Sequence, residues 1–160
     1  MISPKPMSGG FPRNDLMAQL ERDPAWVGQA KIDGWRSAWD GEELRSRSGL
    51  LLHQRAELIA ELRDRFAGVA VDAEVTFASH RMPARLWCFD LPDWAGTLED
   101  RIAELRSRCA GCQWLQLVPH GVCWSDVLCS DWEGIVYKRL GSAYSRKKLT
   151  ADWIKYRRKA

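Results

Sequence analysis

No stretch of this sequence approaches the ~18 consecutive apolar residues that a membrane-crossing helix needs. The opening Met1-Ile2-Ser3-Pro4-Lys5-Pro6 has neither the charged nor the apolar region of a secretory leader, so a cytoplasmic location is expected. Cysteine occurs five times, an odd count that without a leader favours free thiols over a disulfide framework. Internal repeats and low-complexity linkers are missing too, and net charge is small: 24 Lys and Arg against 21 Asp and Glu give +3. With 160 residues, 46% hydrophobic and 28% charged, the chain is expected to be one domain over residues 1–160 with its own core, and not a disordered chain.

What charge there is lies unevenly. Lys138, Arg139, Arg146, Lys147, Lys148, Lys155, Arg157, Arg158 and Lys159 crowd the last quarter, where they form either a solvated basic tail or a surface that meets phosphates. Nine tryptophans are many for this length, most of them expected in the core, with one or two able to stack on bases. Cys109 and Cys112, with His120, Cys123 and Cys129, invite a zinc reading. The spacing is irregular and Gln113 to Val118 reads as a buried strand, so small buried thiols are the expected role.

Met1 to Asn14, rich in Pro and Gly, reads as an extended arm, followed by a short helix from Asp15 to Arg22 that ends before Pro24. Strands are expected at Trp26–Lys31 and Trp35–Trp39, with Asp40-Gly41 as a two-residue turn into Glu43–Arg47. Leu58, Ile59, Leu62 and Phe66 fall at helical spacing within 52–66, as do Leu98, Ile102 and Leu105 within 98–109. Further strands are expected at 69–77, 84–90, 114–118, 134–138 and 153–156, with Ser79-His80-Arg81 as a hairpin tip. Strands that outnumber helices without strict alternation suggest an α+β fold with antiparallel sheets.

Three segments carry chemistry: Ala30-Lys31-Ile32-Asp33-Gly34-Trp35-Arg36, Glu133-Gly134-Ile135-Val136-Tyr137-Lys138 and Trp153-Ile154-Lys155-Tyr156-Arg157. A lysine can attack phosphorus only as the neutral amine, so it needs neighbouring cations or a metal ion to lower its pKa. Lys155 and Arg157, two apart on a strand, would enter one cleft together and reach phosphate oxygens. Asp33-Gly34 is turn chemistry that would fix the direction of the lysine. Taken alone, each segment has an ordinary reading: a hairpin, a strand with basic residues, a surface loop.

In this order, and with Ser46-Arg47-Ser48-Gly49, Val71-Asp72-Ala73-Glu74 and Phe89-Asp90-Leu91 between them, the segments resemble the active-site motifs of ATP-dependent DNA ligases, from about Lys5 to Arg158. The resemblance implies the ligase nucleotidyltransferase fold, with two antiparallel sheets and flanking helices around a nucleotide cleft, similar to the ATP-grasp arrangement. It implies Lys31 as the nucleophile that becomes lysyl-AMP, with Asp33 and Lys155 beside it in catalysis and Ile32 against the nucleotide. Arg36 would contact the nucleotide and Arg47 the nucleotide or the nick phosphate, Phe89 would stack on adenine, and Lys138 would lie near phosphate or base edges. Glu74 would bind ribose hydroxyls or a metal ion, Glu133 a divalent ion, and Lys155 and Arg157 the α-phosphate. ATP and Mg2+ or Mn2+ are the implied cofactors, nicked duplex DNA the implied partner, and a monomer the implied state.

Departures are visible. Ala73 stands where the family has glycine, Arg157 where it usually has lysine, and Ser145-Arg146 where it often has Gly-Arg. The oligonucleotide-binding-fold (OB-fold) domain that ordinarily follows is not expected within residues 1–160. Such a compact form would suit a virus acting in the host cytoplasm. Two other readings are a catalytically weak nick-binding module whose partner protein supplies an OB-type clamp, and an RNA ligase or capping-type nucleotidyltransferase. Arg101 is expected to be structural, and Asp131 a loop residue or a second metal contact.

Overall fold

The structure is a computed structural model that describes residues 5–8, 14–79, 84–147 and 149–158. Among the described residues, nine strands form two sheets. The first sheet holds β1 (Lys5–Ser8), β9 (Leu149–Arg157), β8 (Gly134–Arg139) and β2 (Trp26–Lys31), in that order; the second holds β4 (Leu44–Ser46), β3 (Trp35–Trp39), β5 (Val71–Thr76), β6 (Arg85–Asp90) and β7 (Leu115–Leu117). Helix α1 (Asn14–Arg22) packs by the first sheet, α2 (Ala56–Phe66) and α3 (Leu98–Cys109) cover the second, and a short α4 (Trp124–Leu128) precedes β8.

The α+β expectation stands, with one correction: each sheet has a parallel edge pair, β1 with β9 and β6 with β7. Long connections make both possible, since a parallel neighbour needs a crossover, and α3 supplies the one between β6 and β7. Part of the expected arm is therefore strand β1, while 1–4 and 9–13 lie outside the described residues, as do His80 and Arg81 of the hairpin tip. Helix α2 starts at Ala56 and not at 52, because Leu52 N–H donates to Leu44 O at 2.8 Å and holds the preceding chain against β4. Strand β9 runs from Leu149 rather than from 153, where the charged composition concealed it, and α4 had too short a period to read.

The larger core lies beneath the second sheet, where Leu58, Leu62 and Phe66 of α2 and Leu105 of α3 meet Trp39, Val71, Val75 and Leu86, all at most 1% exposed. These residues alternate along their strands, so one face of the second sheet is apolar and the other is free for polar work. At the β3–β4 connection the two-residue loop is Gly41-Glu42, one residue later than the expected Asp40-Gly41. Asp40 closes the ladder by donating to Glu43 O at 3.1 Å, and Gly41 supplies the φ of +105° that the loop needs.

Candidate active site

Strand register builds one face of the first sheet from every second residue. Lys31 lies opposite Gly134 and Gln29 opposite Val136; Val136 lies opposite Lys155, Gly134 opposite Arg157 and Lys138 opposite Trp153. Directly opposed residues share a face, so Gln29 and Lys31, Val136 and Lys138, and Trp153, Lys155 and Arg157 point the same way. On the second sheet, Arg36 of β3 lies opposite Glu74 of β5. The two faces enclose a cleft of about 530 Å³.

All the residues expected at the site line this cleft: Lys31, Ile32, Asp33, Arg36, Arg47 and Glu74, with Phe89, Glu133, Lys138, Lys155 and Arg157 opposite or beside them. Ala30, Ile32, Phe89, Val118, Val136 and Trp153 form one apolar cluster, giving the cleft a greasy end suited to a planar ring. Lys31, Lys155 and Arg157 mark the polar end.

Lys31 forms an ion pair with Glu133, whose backbone N–H donates to Lys31 O at 2.9 Å, and Arg157 Nε stands 3.7 Å from the same carboxylate. Burial lowers the Lys31 pKa most, Arg157 and Lys155 lower it further, Glu74 and Asp33 oppose them, and the net result is about 8. Burial raises the Glu74 pKa above the usual carboxylate range, although Lys31 and Arg36 pull the other way. Gly34 follows Asp33 for a reason other than turn chemistry. Its φ is not positive, but a Cβ there would stand 2.4 Å from Val75 O, so the chain can cross from Lys31 to β3 only without a side chain.

Phe89 reaches the cleft through a bulge. Asp72 pairs with Asp90 and Ala73 with Cys88, which leaves Phe89 as the extra residue of β6. Its carbonyl, released from the ladder, accepts from Gln29 Nε2 at 3.2 Å and from Lys138 Nζ at 3.3 Å. Lys138 therefore belongs to the greasy end. It is 1% exposed, its Nζ lies 3.4 Å from Asp90 and 4.1 Å from the centre of the Trp153 ring, and burial lowers its pKa to about 8.

Arg101 is structural as expected, fully buried, donating to Asp90 at 2.6 Å and to Ser142 O at 2.9 Å. Arg146 is not a cleft residue: it pairs with Asp93 and donates to Pro92 O at 3.0 Å. Lys148 and Lys159 lie outside the described residues. The thiols and imidazole of the zinc reading are scattered. Cys109 closes α3 in the larger core, Cys123 contacts Ser125 and Asp126 at the start of α4, and His120 is held by Gln29 and Val118. Sequence reasoning missed Gln29, Val118 and Val136, although alternation from Lys31 and Lys138 pointed to the first and last of these.

The fold is the nucleotidyltransferase fold of DNA ligase catalytic domains. A structure of Lig E DNA ligases superposes with a TM-score of 0.75 at 16% identity, covering 99% of this chain and 70% of that one. Mycobacterial DNA ligase D, solved with ATP and MES, superposes with a TM-score of 0.65 at 22% identity, covering 98% and 60%. In sequence, the chain is 29% identical to a DNA ligase of Haemophilus influenzae over 62% of its own length, and it spans 43% of that relative. No model of a protein family matches the sequence.

Proposed function

We propose that the chain is the adenylation module of an ATP-dependent DNA ligase. The observation that carries this reading is Lys31. It is an amine with its pKa lowered to about 8 at the boundary between an apolar slot and a cationic rim, a position suited to in-line attack on the α-phosphorus of a nucleotide whose base fills the slot. Attack forms the N–P bond of lysyl-AMP and breaks the P–O bond to pyrophosphate. The amine proton must leave, and Glu133, already its ion-pair partner, is the nearest acceptor. Lys155 and Arg157 neutralise the oxygens that otherwise repel the nucleophile. The adenylate then passes to a DNA 5′-phosphate, and a 3′-hydroxyl displaces AMP to seal the nick.

The carboxylates of Glu133 and Glu74 face the same cleft, and hard oxygen donors suit Mg2+ or Mn2+. Among the described residues no three candidate ligands converge, so most of the ion's shell would come from phosphate and water, as is usual for Mg2+. Bound there, the ion would supply charge neutralisation at the phosphates. That residues 1–160 form a single adenylation domain, that a partner protein supplies an OB-type clamp and that the chain is a monomer are parts of the same proposal.

Incubation with α-labelled ATP and magnesium, followed by a denaturing gel, tests the reading. One AMP should remain on the wild-type chain, none on Lys31→Ala, and GTP should label poorly. Equal labelling of wild type and Lys31→Ala would refute the assignment. Glu133→Gln should fold normally yet lose most labelling at limiting magnesium.

A further inference from the structure

His120 lies outside the motifs, yet it is built into the greasy end of the cleft. Residues 118–122 dock against β2: Ala30 N–H donates to Pro119 O and Gly121 N–H to Gly28 O, both at 2.9 Å, and His120 forms a bridge with Gln29. Gly28 makes the approach possible, since a Cβ there would stand 2.0 Å from Val122 O.

The hydrogen-bond inventory fixes the protons. His120 Nδ1 lies 2.6 Å from the Val118 carbonyl, which can only accept, so Nδ1 carries the hydrogen and Nε2 is left as an acceptor. Gln29 Nε2 lies 2.5 Å from that Nε2 and 3.2 Å from Phe89 O. Both amide hydrogens of Gln29 are thus directed at acceptors, and the reversed amide would set oxygen against oxygen and against a ring lone pair. The amide oxygen is left for the cleft that Gln29 lines. Burial, with Lys138 adding to it, keeps His120 neutral by lowering its pKa to about 4.

We propose that His120 is a positioning residue that locks the Gln29 amide with its oxygen toward the cleft, so that the base end accepts from the 6-amino group of adenine and rejects 6-oxopurines. This rests on the adenylation reading, and names the residue pair that would make it adenine-selective. A site offering a buried acceptor penalises a ligand that presents another acceptor there.

The test compares self-labelling by ATP and by ITP, which differ at the 6-position, in the wild type, His120→Leu and His120→Gln. His120→Leu should lower the ATP-to-ITP preference about tenfold, the value of one lost hydrogen bond, while His120→Gln, whose amide oxygen can replace Nε2, should restore most of it. An unchanged preference in folded His120→Leu would overturn the proposal. Nitrogen-15 NMR of the wild-type histidines, with His120→Gln for assignment, supplies a readout independent of turnover: a neutral ring protonated at Nδ1 is expected, and one protonated at Nε2 would overturn it even if His120→Leu failed to fold. If the wild type labels with neither nucleotide, the adenylation reading fails, and the NMR result still decides the lock.

Discussion

Lys31 is pulled in two directions. Its carboxylate neighbours hold the ammonium form, while burial and the cations Arg157 and Lys155 favour the neutral amine, and the balance near 8 leaves about a tenth of the side chain neutral at pH 7. The sign of the pH dependence follows. Labelling should rise as pH increases through 8 and flatten above about 9, since further deprotonation adds little nucleophile. Arg157 is the strongest cationic cause, so Arg157→Gln should move the midpoint of the profile upward, toward the ordinary lysine value. The midpoint is the relevant quantity, because loss of a phosphate contact would lower the maximum rate without moving it. A midpoint that stays put would show that Arg157 does not tune the amine.

At the scale of elements, much of the site was legible because strands repeat every two residues. Lys155 and Arg157 were expected to share a face, and they do, joined by Lys31 and Lys138 from neighbouring strands. What alternation could not give was contact between distant segments. The bulge that turns Phe89 into the cleft depends on a register shift against β5, and the 118–122 segment becomes part of the site only because Gly28 admits it. Asp33-Gly34 shows the same limit: the dipeptide suggested a turn, while the glycine is required by the carbonyl of Val75. Gly28→Ala therefore provides an element-scale prediction. A methyl group 2.0 Å from Val122 O must push the segment off β2, which should cost about 1–3 kcal/mol in urea unfolding and also weaken adenine selectivity by displacing His120. Wild-type stability in that variant would mean that the docked segment contributes little.

For the whole molecule, the question is what holds two sheets at the spacing the cleft needs. At the greasy end, the contacts crossing between the sheets include Gln29 to the Phe89 carbonyl, Phe89 edge-on to Trp153, and Lys138 to Asp90. Asp90 is fully buried between two cations, Lys138 from the first sheet and Arg101 from α3. Burial raises its pKa, but Lys138 and Arg101 outweigh this and hold the carboxyl below the usual range. A buried triad of this kind need not stabilise more than apolar packing would, yet removal of one member leaves uncompensated charge. Asp90→Ala should thus destabilise by about 3–5 kcal/mol, stranding both Lys138 and Arg101. Asp90→Asn keeps the shape and isolates the charge. The stability that Asp90 carries through its lowered pKa is fully present above the ordinary carboxylate pKa of about 4 and is lost as pH falls through the folded value. The gap in unfolding free energy between wild type and Asp90→Asn should therefore be wide at pH 6 and narrow as the pH is lowered toward 3. A gap constant over that range would show that the cleft's spacing rests on packing alone and not on the charge shared across its floor.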